Sequence, residues 1–209
     1  MAQTLAISKT ITSMVELRQR FNMVFTEDEQ FFTEWFDELP ELTEQEQKTL
    51  DHLKQRFLTY RDRGPIPEGV VDKLLVTPLL DVAGFYDEPF TVRTEPQVEI
   101  LLEDRDEILR GRIDTLIVQD RLWVLVLEAK RTIAFSVAIP QALAYMMATP
   151  HPEKSVFGVV TNGDEFTFIK ASTQNSPQYD LSRVFSLLMR RNELYEVLRV
   201  MKKIGSSIA

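Results

Sequence analysis

The sequence between Gly111 and Lys130 constrains the fold most, because two apolar runs there carry charge at only a few points. Each run has the length and composition of a β-strand, and the polar break at residues 119–121 predicts a hairpin turn between them. Side chains alternate along a strand, so Glu128 and Lys130 share one face at the end of the second run. Ionised groups at the end of an apolar strand are costly to bury unless they are paired or bind a metal. We therefore interpret them as candidates for chemistry.

The flanking sequence predicts helices first and then strands interrupted by one helix. Three helical stretches precede residue 62: residues 10–22, a segment that begins with Thr26 as its N-cap, and a segment that begins with Thr43 and ends near Arg61. The Gly64 to Pro67 segment stops a helix and predicts a linker. We therefore place residues 1–62 in an N-terminal helical appendage and residues 63–209 in the main domain.

The main domain alternates between segments with the periodicity of a helix and segments with the periodicity of a strand. It predicts a helix from Glu68 to Ala83 that is kinked at Pro78 and capped by Gly84, four strands between residues 90 and 130, a helix over residues 136–149, a hairpin at Asn162-Gly163 and a last helix from Leu181 to about Lys203. The order favours an α+β fold in which a central mixed β-sheet is flanked by helices.

Composition excludes several kinds of site. The chain has no cysteine, so a metal would be held mainly by oxygen, and disulfides and cysteine nucleophiles are excluded. The net charge of -8 argues against a protein that binds nucleic acid through a broad basic surface. The apolar runs are too short to span a bilayer and residues 1–20 lack the features of a signal peptide, so we expect a cytoplasmic protein.

The pattern of Asp114, a thirteen-residue gap and Glu128-x-Lys130 resembles the PD-(D/E)XK nucleases, and Gln141-x-x-x-Tyr145 is similar to a motif of their type I restriction and RecB-like branches. Upstream, Glu68 with Pro78 and Gly84-Phe85 is similar to the first core helix of the nuclease domain of type I restriction R subunits, and Thr161-Asn162-Gly163 resembles a later hairpin of that domain. The resemblance covers roughly residues 68 to 170. It lacks the proline before the aspartate, and the chain has no Gly-rich phosphate loop, so no ATP-driven motor is expected.

The resemblance implies a restriction-endonuclease-like core and a Mg²⁺-dependent endodeoxyribonuclease, with Mn²⁺ as a substitute for Mg²⁺. Its implied partners are DNA and either other restriction-modification subunits or a second copy of the chain. It implies metal binding by Asp114, Glu128 and Glu68. It implies catalytic roles for Asp114, Glu128, Lys130, Gln141 and Tyr145.

Other interpretations of these residues stay open at the level of sequence. A Glu-x-Lys pair also occurs on solvated strand faces, and Gln141 and Tyr145 fit a helix rim and a core aromatic residue. Glu68 could be a helix N-terminal acid that the helix dipole stabilises, and Glu99 could either add a ligand or face solvent. The alternative function is a non-catalytic module that retains the nuclease fold and binds a partner protein through residues 26–62.

The register of the hairpin between Asp114 and Glu128 is itself a prediction. A plain two-residue turn at residues 119–120 would place Asp114 opposite Leu125, on the sheet face away from Glu128. Two carboxylates that share a metal must lie on the same face. We therefore expect a β-bulge or an odd-residue loop that shifts the pairing by one residue.

Overall fold

The computed structural model describes residues 3–102, 105–119, 122–129, 135–173 and 176–208, and these residues form two β-sheets. The larger sheet has the strand order β2-β10-β9-β8-β7-β6-β3, with β11 paired to β9, and the smaller has the order β1-β5-β4. The strands are β1 (Gln3–Ala6), β2 (Val24–Phe25), β3 (Phe90–Thr94), β4 (Gln97–Leu102), β5 (Glu107–Arg112), β6 (Thr115–Gln119), β7 (Leu122–Ala129), β8 (Val156–Thr161), β9 (Glu165–Ser172), β10 (Gln178–Leu181) and β11 (Phe185–Ser186).

Helices cover both faces of the larger sheet. Within β8, Phe157 and Val159 belong to one apolar core and Val156 and Val160 to another, because successive side chains on a strand point to opposite faces. The helices are α1 (Ile7–Thr10), α2 (Met14–Phe21), α3 (Glu44–Arg61), α4 (Glu68–Val71), α5 (Thr77–Val82), α6 (Phe135–Met146) and α7 (Leu194–Ile208). Helices α3, α4, α5 and α7 contribute to the first core, whereas α1, α2 and α6 contribute to the second. The predicted α+β class with a mixed, helix-flanked sheet is confirmed.

The larger sheet is mixed because β7 and β8 run parallel, as do β2 and β10, while the other neighbouring strands pair antiparallel. Every residue of β8 is buried, and its sequence is correspondingly almost continuously apolar. Helix α6 provides the crossover that a parallel pair requires.

The N-terminal segment is built into both cores. Strand β1 pairs with β5, and β2 pairs with β10. Phe32 and Phe57 are buried in the first core, and Ile7 and Leu17 in the second. Residues on both sides of position 62 therefore share the same cores. The division of the chain at that position stays a prediction.

The helix predicted from Thr26 is wrong: residues 26–43, all of which the structure describes, contain turns and no helix. The reason is local competition for the backbone. The Thr26 hydroxyl accepts a hydrogen bond from the Asp28 N–H at 3.2 Å, and the Asp28 carboxylate accepts one from the Gln30 N–H at 2.9 Å. These side chains satisfy N–H groups that a helix would otherwise have used.

The segment predicted as one kinked helix is confirmed as helical and irregular. A π-helical turn, Asp72–Val76, lies between α4 and α5, and Pro78 begins the regular helix that follows. Proline has no N–H to donate to the residue four positions earlier, so an interruption at this place is expected. Gly84 has φ +83° and caps the end of α5, as predicted.

The last helix begins at Leu194 and not at Leu181 as predicted, because residues 178–181 and 185–186 pair with β9 as β10 and β11. Helix α7 also continues through Gly205 to Ile208. A Cβ at Gly205 would lie 3.3 Å from the Phe85 ring, so this glycine permits close packing of the helix on the ring. No helix in the described part of the chain is both long and apolar enough to cross a membrane.

A long bent ribbon connects the two sheets. Strands β3 and β4 run antiparallel to β5 and β6, and the residue pairing continues unchanged from Thr94↔Thr115 in the larger sheet to Gln97↔Arg112 in the smaller one. At the bend, the Glu95 N–H donates to the Asp114 carbonyl and the Ile113 N–H donates to the Pro96 carbonyl, both at 3.2 Å. The ribbon therefore passes from one sheet to the other without losing its register.

Candidate active site

Asp114 lies at the bend of this ribbon, immediately before β6. Its backbone is held by the Glu95 N–H, and Glu95 itself has φ +50°, a conformation rare for residues other than glycine. The Asp114 side chain is half-buried. The bend thus presents a carboxylate at the end of a strand whose next four residues are all buried.

The predicted β-bulge is confirmed. In the β6–β7 pair, Ile117 lies opposite Leu125 and Val118 lies opposite Trp123, so one residue of β7 is extra. Beyond the bulge, Thr115 lies opposite Leu127. One further step along the ladder would bring backbone position 114 opposite backbone position 128. Residues that lie directly opposite each other on paired strands point to the same face of the sheet.

The structure describes the backbone of Glu128 but not its side chain, and Lys130 lies outside the described residues. In β8, Val160 is the parallel neighbour of position 128, and Thr161 is the neighbour of Ala129. The second predicted strand therefore ends at the same edge of the sheet as β8. The bend containing Asp114 lies at this edge as well.

A cavity of about 290 Å³ adjoins Asp114. Its wall includes Gly69 and Asp72 from the irregular helix, and Glu95 and Asp114 from the bend. The sequence interpretation missed Asp72 and Glu95. The available signal for Asp72 was its spacing of four residues from Glu68, which predicts one face of a helix.

Glu68 is the first residue of α4, one turn before Asp72, and the structure does not describe its side chain. The Pro67 carbonyl accepts hydrogen bonds from the N–H groups of Val70 and Val71, so α4 begins directly after the Gly64 to Pro67 segment. This start directs the first turn of the helix toward the cavity that Gly69 and Asp72 line.

Gln141 and Tyr145 are buried on α6, 3% and 4% exposed, and neither lines the cavity beside Asp114. The Gln141 amide donates to the Ser8 carbonyl at 3.2 Å. The Tyr145 ring is packed so closely on β5 that a Cβ at Gly111 would lie 2.6 Å from it. Their described contacts thus tie α6 to α1 and to the ribbon at a place three residues before Asp114.

The charged groups flanking the bend form ion pairs at the surface. Glu99 contacts Arg110 at 2.8 Å across the β4–β5 pair, and Glu95 contacts Arg112 at 3.4 Å. All four side chains are more than half exposed, so each ion pair contributes little to stability. The structure thus favours the solvent-facing interpretation of Glu99 over a ligand role.

The Thr161 to Glu165 hairpin closes the same edge of the sheet. Gly163 has φ +90°, and a Cβ at this position would lie 2.9 Å from the Phe57 ring and 3.2 Å from a Val71 methyl group. Arg61 adds an ion pair to Asp164 at 2.7 Å. The hairpin is therefore fitted closely against α3 and α4.

The donor set around the bend consists of oxygen atoms. Among the residues that the structure describes, no three His, Cys, Asp or Glu side chains are grouped closely enough to hold a metal ion. Asp114 and a carboxylate at the opposed position 128 would still suit Mg²⁺, which retains several waters when one or two protein carboxylates bind it.

One comparison with known proteins gives a match. The family described as type I restriction enzyme R protein N terminus matches residues 25–176, which is 152 of the 209 residues. The match includes the bulged hairpin, the irregular helix, α6 and the Asn-Gly hairpin. A search among curated proteins gave no match.

Proposed function

The chain belongs to the family of type I restriction enzyme R protein N termini, and on this premise we propose that it is a DNA-cleaving domain, a Mg²⁺-dependent endodeoxyribonuclease with a PD-(D/E)XK site. The proposal includes a restriction-endonuclease-like core for the helix-flanked mixed sheet. The observation that supports it most directly is the bulged register, which brings backbone positions 114 and 128 opposite each other.

Two carboxylates and one ammonium group match the needs of phosphodiester hydrolysis. Asp114 and Glu128 would hold Mg²⁺, with Mn²⁺ as a substitute, and Glu68 would contribute from the first turn of α4. The bound ion would polarise the phosphate and lower the pKa of a water molecule. Lys130 would orient the attacking water and stabilise negative charge that develops on the phosphate.

Gln141 and Tyr145 would act by positioning. The Gln141 amide and the Tyr145 ring hold α6 against the N-terminal segment and β5. In the proposed enzyme this packing fixes the helix that follows Lys130 in sequence. A displaced catalytic group loses rate steeply, because reacting atoms must be held close to their productive geometry.

The family also suggests how the domain meets DNA. An R protein is by description part of a type I restriction enzyme. We propose that other restriction-modification subunits, or a second copy of this chain, supply part of the DNA contact in the cytoplasm. The net charge of -8 favours such help, because the excess of carboxylates over basic groups opposes the approach of a polyanion.

A cleavage assay tests the proposal. Supercoiled, linear and single-stranded DNA are incubated with wild type and with Lys130→Ala in Mg²⁺, in Mn²⁺ and in EDTA. We expect metal-dependent nicking or cutting of supercoiled DNA by wild type and loss of this activity in Lys130→Ala. Lys48→Ala is the matched control, because Lys48 is exposed and its ion pair among the described residues is with Glu44, one helical turn away.

The alternative is a non-catalytic module that binds a partner protein through residues 26–62, where Phe36 is 51% exposed in a stretch without Lys or Arg from Glu27 to Glu46. Calorimetric titration with Mg²⁺ or Mn²⁺ separates the two functions. Metal binding that Asp114→Asn abolishes supports the nuclease. A wild-type chain that neither binds metal nor cuts any of the three DNA forms contradicts it.

A further inference from the structure

A second cavity, of about 420 Å³, lies at the edge of the larger sheet opposite to the candidate active site. Trp123 near the start of β7 and Val156 at the start of β8 line it. Because β7 and β8 are parallel, their amino ends share this edge, whereas position 128 lies near their carboxyl ends. The rise along a strand separates the positions of Trp123 and Glu128 by about 17 Å.

Lys170 provides the most distinctive group in this cavity. Its side chain is only 15% exposed, and its ammonium lies 5.5 Å from the centres of both the Phe31 and Phe157 rings. The Glu34 carboxylate accepts one hydrogen bond from it at 2.6 Å. An ammonium has three N–H donors, and among the described contacts of Lys170 only this one is used. Two donors thus have no described acceptor on an ammonium group that belongs to a residue of the cavity wall.

The charge of the cavity wall is unlike that of the whole molecule. Lys154 and Lys170 contribute positive charge and Glu34 contributes negative charge, and His151 adds a second type of nitrogen donor. The lining thus has two lysines against one carboxylate on a chain whose net charge is -8, and Glu153, which is not part of the lining, pairs with His151 at 3.1 Å. One Glu34 oxygen is buried without a hydrogen-bond partner, so the ion pair leaves its carboxylate incompletely satisfied. That oxygen can accept a hydrogen bond from an amino or hydroxyl group of a ligand, while Lys154 and Lys170 favour an anionic group on the same ligand.

The remaining wall suits a ligand with a flat ring. Trp123 is partly exposed, and Thr149 and Ser155 add small polar side chains beside it. Aromatic side chains stack on nucleic acid bases without regard to sequence, at about 1–3 kcal/mol per base. The volume also lies within the range of ligand pockets, about 300–1,000 Å³.

We propose that this cavity binds a 5′-phosphorylated nucleotide, with the phosphate on Lys154 and Lys170 and the base against Trp123. The ligand is either a free mononucleotide or the phosphorylated end of a DNA strand, which share this chemistry. The site is separate from the candidate active site and does not depend on the chain being a nuclease.

Isothermal titration of the full chain in EDTA tests the proposal, with dAMP, inorganic phosphate and deoxyadenosine as probes. We expect dAMP to bind at least about tenfold more tightly than either fragment, since it alone engages both parts of the cavity. Short oligonucleotides with and without a 5′-phosphate distinguish the two sources. Binding of the phosphorylated strand identifies a strand end, and binding of dAMP alone identifies a free nucleotide.

Substitutions locate the site. Lys154→Gln, at an exposed position, should weaken dAMP binding about tenfold, and so should the double variant Glu34→Gln with Lys170→Gln, which removes both charges of the pair together. Lys48→Gln serves as the matched surface control and should bind as wild type does. Asp114→Asn should also bind normally, because it changes the opposite edge of the sheet.

Four results would overturn the proposal. They are no dAMP binding by wild type, equal binding of dAMP and phosphate, equal binding by wild type and Lys154→Gln, and loss of binding in Asp114→Asn. The last result would place the nucleotide in the candidate active site. Lys154→Gln keeps the test valid if the double variant does not fold.

Discussion

Backbone pairing holds Asp114 and its neighbour Thr115. The Asp114 carbonyl accepts a hydrogen bond from the Glu95 N–H, and Thr115 pairs with Leu127 of β7. A residue held in this way keeps its place when its side chain changes. Substitution at this position therefore separates chemistry from folding more cleanly than substitution in the apolar cores.

Asp114→Asn should abolish cleavage while leaving the fold intact. Asparagine has nearly the same shape but cannot supply an anionic ligand, so we expect a loss of about 100-fold or more in rate, equivalent to about 3 kcal/mol of transition-state stabilisation. Urea unfolding should give a free energy within about 1 kcal/mol of wild type. Asp87→Asn, at an exposed position outside the cavity, is the matched control, and unchanged cleavage by Asp114→Asn contradicts the assignment.

The site could be predicted from sequence only in part, and the residues show why. The spacing of Asp114, Glu128 and Lys130 is visible along the chain, and the shared face of the two carboxylates follows from what a metal requires. Asp72 reaches the cavity beside Asp114 through the packing of the π-helical turn on the bend, and Glu95 reaches it through the pairing of distant strands in the ribbon. No local pattern encodes this packing or this pairing, so both residues were missed.

At the scale of elements, sequence predicts those whose signals are strong and local. Helix α3 begins after Thr43 as predicted, with a capping box formed by Thr43 and Glu46, and Gly84 caps α5. The segment from Thr26 begins with a similar pattern, but its side chains satisfy the backbone in turns. The strands β1, β2, β10 and β11 have two to four residues each, and their existence depends on distant partners. Short segments of this kind carry no periodicity from which they could be predicted.

Gly163→Ala should destabilise the fold, because Gly163 lies in the Thr161 to Glu165 hairpin at the edge of the larger sheet beside the candidate active site. The positive φ costs a residue with a Cβ about 1–2 kcal/mol, and the added methyl would also press on Phe57 and Val71, which costs about 1–3 kcal/mol more. Gly84→Ala is the matched control, because Gly84 has a similar φ of +83° and nothing within 4 Å of its Cβ position. Urea unfolding should show the larger loss for Gly163→Ala, and equal losses would show that the contact with α3 is unimportant.

Glu46 connects α3 to α7 and should give the fold a dependence on acid. Burial raises the pKa of Glu46, but hydrogen bonds from Lys202 and from the N–H and hydroxyl groups of Thr43 outweigh burial and lower it overall. A carboxyl with a lowered folded pKa stabilises the protein above its unfolded value of about 4.3, and this contribution is lost as pH falls through the folded value.

Glu46→Gln should therefore lower the free energy of unfolding by about 1–2 kcal/mol near neutral pH. The difference from wild type should shrink as the pH is lowered below about 4, because the wild-type carboxyl then becomes protonated. Urea titrations at several pH values measure this. Glu44→Gln is the control and should change the free energy of unfolding little at any pH, because the ion pair of Glu44 with Lys48 is largely exposed. A loss of unfolding free energy in Glu46→Gln that stays constant down to acid pH would contradict the proposed ionic contribution.

At the scale of the whole molecule, a net charge of -8 opposes binding to DNA. Few phosphates can be neutralised by the isolated chain, so duplex binding should be weak, and the slope of log affinity against log salt should be shallow, on the order of -2 to -4. Divalent metal should strengthen binding by offsetting carboxylate charge. Fluorescence anisotropy with a labelled duplex measures both effects. Tight binding in EDTA with a steep slope would reveal a basic groove and contradict this expectation.

The ribbon that joins the two sheets keeps its hydrogen-bonded pairing through the bend, with Glu95 and Asp114 opposite each other at that point. Residues 94–97 and 112–115, all of which are described, pass from one sheet to the other without a loop. The two sheets are therefore coupled mechanically at the bend that contains Asp114. We therefore expect a displacement of the smaller sheet to move the backbone of Asp114 relative to β7. Strand β1 pairs with the edge of β5 opposite to β4, and this pairing adds rigidity to the ribbon. A weaker β1–β5 pairing would therefore change the distance between positions 114 and 128 without a change in either residue.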